Sequence, residues 1–196
     1  MYEYKIEDAI KIIYNCFELI GEVIDIDDIA ALLEGEQVKI SLYKASLVKA
    51  INDIYYEQLT DKSYKELDLA SVVIKTMQTF AERTGIDKTI YFKSSSKYNE
   101  QLIVEFVREI DFIENSEDVF EEAGSIFAKM HNEEYAREFS SAIGYLLANY
   151  VLIRDGFKPL VMDEEQICKF AIAWLSDVKL YDIGAIIASY YINEEI

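Results

Sequence analysis

The side chains able to carry chemistry are few and scattered. The chain has one histidine, His131, followed by Asn132, Glu133 and Glu134. That run could supply a general base beside carboxylates, or simply end a helix at the surface. A lone imidazole cannot build a multi-histidine metal site, and neither cysteine lies near it in sequence. A second acidic group, Asp25, Asp27 and Asp28, has charge for a cation but lacks the glycine and bidentate glutamate of a calcium loop. Acids also favour helix N-termini, so both groups read as solvated helix starts, and no metal site is expected. Phosphate chemistry has less still to work with. There is no glycine-rich phosphate loop, no Cys-x-x-Cys and no Gly-x-Ser-x-Gly, and the only arginines are Arg83, Arg108, Arg137 and Arg154. Cys16 and Cys168 each sit in an apolar periodic segment, which predicts two buried thiols in place of a disulfide or a metal pair.

The elements that must position these groups are helical. Only 1 Pro and 7 Gly interrupt 196 residues, far fewer breakers than an all-β chain needs. Apolar residues recur at spacings of three and four through Ile6, Ile10, Ile13 and Phe17, through Val48, Ile51, Ile54 and Tyr55, and through Ala70, Val73, Met77 and Phe80. Further stripes run through Leu102, Phe106, Ile110 and Ile113, through Ala123, Ile126, Phe127 and Met130, and through Phe139, Ile143, Leu146, Leu147 and Tyr150. The last of these should stop at Asp155-Gly156, where glycine supplies a left-handed residue, with Pro159 just beyond. Asp163 and Gln166 form a capping box ahead of Ile167, Phe170 and Trp174, and a final stripe runs through Ile183, Ile186, Ile187 and Tyr190. One segment departs from the pattern: Thr89-Ile90-Tyr91-Phe92-Lys93 is β-branched and aromatic and reads as a short strand or hairpin arm. With no linker or repeat, residues 1–196 read as one all-α domain with a small β element.

Charge removes several classes of function. Against 37 acidic residues stand 19 basic ones, a net charge of −18, whose field repels nucleic acid and anionic membrane surfaces. A hydrophobic fraction of 52% with 15 tyrosines is incompatible with an acidic disordered chain. No run approaches the ~18 apolar residues of a spanning helix, and Met1 to Lys5 lacks the basic start of a secretory leader, so a cytoplasmic location is expected.

The stretch from Tyr145 to Val161, YLLANYVLIRDGFKPLV, resembles the segment following the catalytic loop in the Fic family of AMP-transferases. There a helix of the form R-L-L-x-N-x-L-L-x-x-x-G-(Y/F)-P-P-(I/L) follows the signature H-P-F-x-(D/E)-G-N-G-R. Ala123 to Asn132, AGSIFAKMHN, is similar to the helix leading into that loop. The resemblance implies a Fic-like helical bundle in which Ile90, Tyr91 and Phe92 belong to a β-hairpin flap that aligns the target. It also implies an inhibitory-helix motif at Ala30 to Gly35, with Glu34 and Gly35 matching and Ala30 replacing the hydroxyl residue. The likeness spans about residues 30–191 and is strong only over 123–161.

The departure is at the chemistry. Counting back from Leu146, the signature histidine falls on Glu134, the magnesium-binding acid on Glu138, the glycine-rich anion nest on Phe139, Ser140 and Ser141, and the two phosphate-binding arginines on Ala142 and Tyr145. Only Glu138 keeps its type. A missing general base costs about 10² to 10⁴ in rate, and each lost charge-assisted phosphate contact about 1.5–3 kcal/mol. Phe139 to Tyr145 also continues a helical stripe, so helix is expected where the family has its loop. The resemblance therefore implies a pseudoenzyme, without cofactor, that binds a protein partner, with the flap as the first candidate surface. With its second arginine partner replaced by Tyr145, Glu34 is expected to be a relic near a helix end. Two alternatives stand beside this reading. One is a divergent transferase using ATP and magnesium through Glu138, His131 or Arg137. The other is an acidic decoy for a basic partner, which would need a continuous carboxylate face.

Overall fold

The computed structural model describes residues 2–85, 108–114, 117–132, 137–175 and 180–192, and these are mainly α-helical with no strand among them. In chain order the helices are α1 (Ile6–Leu19), α2 (Ile26–Leu33), α3 (Leu42–Thr60), the single turn α4 (Lys62–Lys65) and α5 (Leu69–Thr84). There follow α6 (described over 108–114), α7 (Val119–Asn132), a 3₁₀ turn (Arg137–Phe139), α8 (Ser140–Arg154), α9 (Glu164–Leu175) and α10 (Leu180–Ile192). The hairpin expected at Thr89 to Lys93 lies outside the described residues.

Local chemistry explains most of the boundaries. Asp25 caps α2 by accepting from the Asp27 amide at 2.9 Å, so the Asp25–Asp28 cluster is a helix start. Asp163 and Gln166 exchange side-chain to backbone hydrogen bonds at 2.8 and 2.9 Å, the reciprocal capping box the sequence predicts for α9. At the end of α8, Gly156 adopts φ 92°, and the Phe157 amide reaches back to the Leu152 carbonyl at 2.9 Å. This Schellman closure needs a left-handed residue, which glycine supplies at no steric cost.

Helix α8 is the centre of the molecule. It carries no charged residue from Ser140 to Ile153, and it packs against α1, α3, α5 and α7. Every residue from Ser140 to Leu152 is buried. A helix apolar all round must lie inside, because no face of it prefers water. The stripe read from the sequence was thus only part of its buried surface.

On its far side α7 meets α10 at a glycine crossing. A Cβ on Gly124 would lie 2.4 Å from the Gly184 amide nitrogen, and one on Gly184 would lie 2.8 Å from the Phe120 carbonyl oxygen. The two backbones therefore touch with no side chain between them. Gly144 performs the same service between α8 and α7, where an added Cβ would stand 3.1 Å from the Phe127 carbonyl oxygen and from Met130 Cβ.

The expectation of two buried thiols holds only for Cys16, which is fully buried in α1, while Cys168 is exposed on α9. The reason is angular. Ile167 and Phe170 define the inward side of α9, and Cys168 follows Ile167 by about 100° of helical rotation.

Candidate functional site

Of the positions that the Fic likeness marks for catalysis, Phe139 to Ala142 stand at the start of α8 and are buried. Glu134 lies outside the described residues, as do Ile90, Tyr91 and Phe92 of the expected flap. Glu138 is exposed on the 3₁₀ turn. Its charge, after burial and Glu22, helps to raise the Tyr43 phenol above its ordinary value, which sets the start of α3 beside this turn.

Beyond Glu138 the chain enters α8 without a loop. Ser140, Ser141 and Ala142 are 1%, 7% and 1% exposed, and Phe139 packs its ring 5.2 Å from that of Phe80. Amides at a helix start can hold an anion only if the anion reaches them. Here the first turn of α8 is covered by protein, with a carboxylate at its entrance. Helix from Ser140 onward agrees with the expectation drawn from the Phe139 to Tyr145 stripe.

His131 stands at the end of α7 with Nδ1 3.1 Å from the Ser141 hydroxyl, its ring stacked on Phe127 at a centroid distance of 6.4 Å. The pairing ties the last turn of α7 to the first of α8. It also brings an imidazole to a hydroxyl, the minimal nucleophile and base pair, although that hydroxyl is buried.

Tyr145 and Asn149 are the most informative positions. Tyr145 is fully buried, and burial holds its phenol well above its ordinary value. Its hydroxyl donates to Asn15 Oδ1 on α1 and lies in contact with the Leu160 carbonyl. Asn149 takes the Leu160 amide at 2.7 Å and donates to the Tyr145 carbonyl at 3.0 Å. Asn15 completes the arrangement by accepting from the Met162 amide at 3.0 Å and donating to the Met162 carbonyl at 2.9 Å. Three buried side chains thus clamp the extended segment after α8 onto α1 and α8, satisfying main-chain groups that have no helical partner. Asn149 belongs to the recognised motif. Asn15 has a weaker signal in sequence, a polar residue inside the apolar stripe of α1, which takes its meaning from a partner 147 positions away.

Ala142 offers only its carbonyl, 3.9 Å from the Cys16 sulfur. Burial raises the Cys16 thiol far above its usual range, so it stays neutral and unreactive. Glu34 is exposed just beyond α2, and Gly35 has φ 85° with the Glu36 amide bonded to the Ala31 carbonyl at 2.9 Å. The Glu-Gly pair closes α2 as a helix stop, with the glycine required by the left-handed turn.

Away from this region, Arg154 at the end of α8 is bound by both carboxylate oxygens of Glu122 at 2.7 and 2.9 Å, with Glu114 and Asp155 at 3.8 and 3.3 Å. Glu122 is almost fully buried. Burial pushes its carboxyl above the ordinary range while Arg154 pulls it back. No group of three or more His, Cys, Asp or Glu side chains among the described residues is placed to hold a metal ion. No described helix is long and apolar enough to cross a membrane.

No protein-family model and no curated protein matches this chain.

Proposed function

We propose that the chain is a Fic-like helical scaffold whose nucleotide site has been filled by its own side chains, and that it acts by binding another protein. The observation that carries this reading is Tyr145. Where the likeness calls for a phosphate-binding guanidinium, the chain has a fully buried phenol spent on Asn15 and Leu160. An arginine there would need a buried anion to compensate it, and the surrounding groups are amide and carbonyl. Ala142 at the companion position is buried as well, so both phosphate contacts are replaced by packing.

Calorimetric titration with ATP and magnesium at millimolar concentration, together with label transfer from α-labelled ATP, tests the reading. No binding heat and no labelled protein are expected. Saturable binding with transfer to a protein hydroxyl would establish the rival reading, a divergent transferase, which the contact between His131 and Ser141 favours. In that case His131→Ala would abolish transfer while leaving nucleotide binding largely intact. For the partner surface, the first candidate is the segment containing Ile90, Tyr91 and Phe92, which in the family offers an edge for strand addition. Loss of partner capture on its deletion is the expected outcome.

A further inference from the structure

A cleft of about 570 Å³ opens between the C-terminal ends of α3 and α8, beside the Arg154 and Asp155 pair and away from the start of α8. Its size falls in the range of small-molecule sites. Leu59 and Ile153 give it apolar walls, and Tyr2 and Tyr150 contribute aromatic rings.

We propose that this cleft binds a protonated amine carried on an apolar or aromatic body. Four independent features select a cation. First, two helices end here: Gln58 and Leu59 lie in the last turn of α3, and Ile153 and Arg154 in that of α8. Helix C-termini carry partial negative charge and favour cations. Second, the charged groups around the cleft are acidic on balance. Asp155 is on the wall, Glu114 and Glu122 stand behind Arg154, and Asp8 holds the Tyr2 hydroxyl. Against these four stand Arg154 and Lys5, the latter 5.6 Å from the centre of the Tyr2 ring, while Lys75, over the Tyr64 ring next to Tyr150, is paired with Asp61 at 3.0 Å. Arg154 is already committed to its carboxylates, so an anion gains little from it, and the net charge of −18 concentrates cations near the whole surface. Third, tyrosine faces attract ammonium and guanidinium groups through the ring quadrupole. Fourth, Gln58, itself 5% exposed, uses its amide nitrogen on Thr76 at 3.2 Å but has no partner for its Oε1. Buried acceptors are nearly always satisfied. Gln58 lines the cleft, and rotation about the soft last torsion of its amide, with release of Thr76, would offer this oxygen to an N–H donor bound there.

The inference is independent of whether the start of α8 has lost nucleotide. It is tested on the full chain by amide and side-chain NMR titration with three indoles of similar size: tryptamine, neutral tryptophol and anionic indole-3-acetate. Tryptamine is expected to bind saturably, shifting the Gln58 side-chain amide and the backbone signals of Leu59, Ile153 and Gly156, with tryptophol at least tenfold weaker and the acid weakest. Asp155→Asn should weaken tryptamine about threefold, the effect of one unit charge at roughly 6 Å in water. Ile153→Trp, which fills the cleft, should abolish it. A parallel titration with acetyl-Trp-Lys-amide separates a free amine from a protein side chain as the source, whichever binds more tightly at these residues in a charge-dependent way. Equal binding of tryptamine and tryptophol, preference for the acid, shifts at other residues, or no saturation by 10 mM would each overturn the proposal. Because Asp155 is exposed, its variant keeps the test open even if Ile153→Trp unfolds the chain.

Discussion

Replacing Asn15 by alanine should weaken the fold severely, although the residue is polar and lies in a helix. The substitution removes the acceptor of the Met162 amide, the donor to the Met162 carbonyl and one partner of the Tyr145 hydroxyl. Tyr145 retains Leu160, but the two Met162 main-chain groups are left buried without a partner. At about 1–3 kcal/mol for each orphaned group, the loss comes to about 3–4 kcal/mol once some water entry is allowed, a large share of a typical total of about 5–15 kcal/mol. In urea, with a slope near 2 kcal/mol per molar, the midpoint should fall by about 1.5–2 M with the slope unchanged. Asn15→Leu restores volume but not the hydrogen bonds and should rescue little. That comparison separates hydrogen bonding from packing. Amide exchange at Leu160 and Met162 should accelerate before the global unfolding limit is reached, and Asn15→Ala should couple with Tyr145→Phe in a double-mutant cycle by about 1 kcal/mol. A midpoint shift below 0.5 M in both Asn15 variants, or full rescue by leucine, would refute the clamp as the device that holds residues 157–163 in place.

Arg154→Met strips the buried Glu122 carboxylate of its partner. The penalty at pH 7 is capped at about 3.7 kcal/mol, the cost of protonating an ordinary glutamate of pKa about 4.3 at 1.36 kcal/mol per unit, and solvent on the Arg154 side lowers it. Because the Glu122 pKa is raised in the folded state, its proton-linked stabilisation is present in acid and lost as pH rises. The Arg154→Met deficit, measured by urea unfolding, should therefore shrink between pH 7 and pH 5; a deficit independent of pH would contradict the burial argument. Gly184→Ala gains up to about 1 kcal/mol of helix propensity yet places a methyl 2.8 Å from the Phe120 carbonyl oxygen, so a lower melting temperature is expected, and a higher one would mean that α7 and α10 are not held this close. One thiol, Cys168, should react promptly with a disulfide reagent in the native protein, and Cys16 only after unfolding.

The sequence carried the helices because their signals are local. The Asp163 and Gln166 capping box, the Gly156 stop and the stripes of α1, α5 and α7 depend on neighbours within one or two turns, and each is found as read. The exposure of Cys168 is not legible in its apolar segment, because membership of such a segment does not specify a face; rotation about the α9 axis does. The centrality of α8 is legible in its lack of charge and not in a periodic stripe, because a stripe marks a helix that buries one side and α8 is buried on every side.

The candidate sites divide in the same way. Residue types alone removed a metal loop, a phosphate loop and a basic surface from consideration, since each requires side chains or spacings that the chain does not have. Tertiary structure decided what the remaining polar residues do. Asn15, Tyr145 and Asn149 converge on Leu160 and Met162, the last 147 positions from Asn15, and the cleft of Gln58 and Ile153 exists only because α3 and α8 end side by side. Hydrogen bonds and clefts formed between distant segments leave no periodic trace in sequence, because their geometry is fixed by how helices pack and not by the residues that flank them.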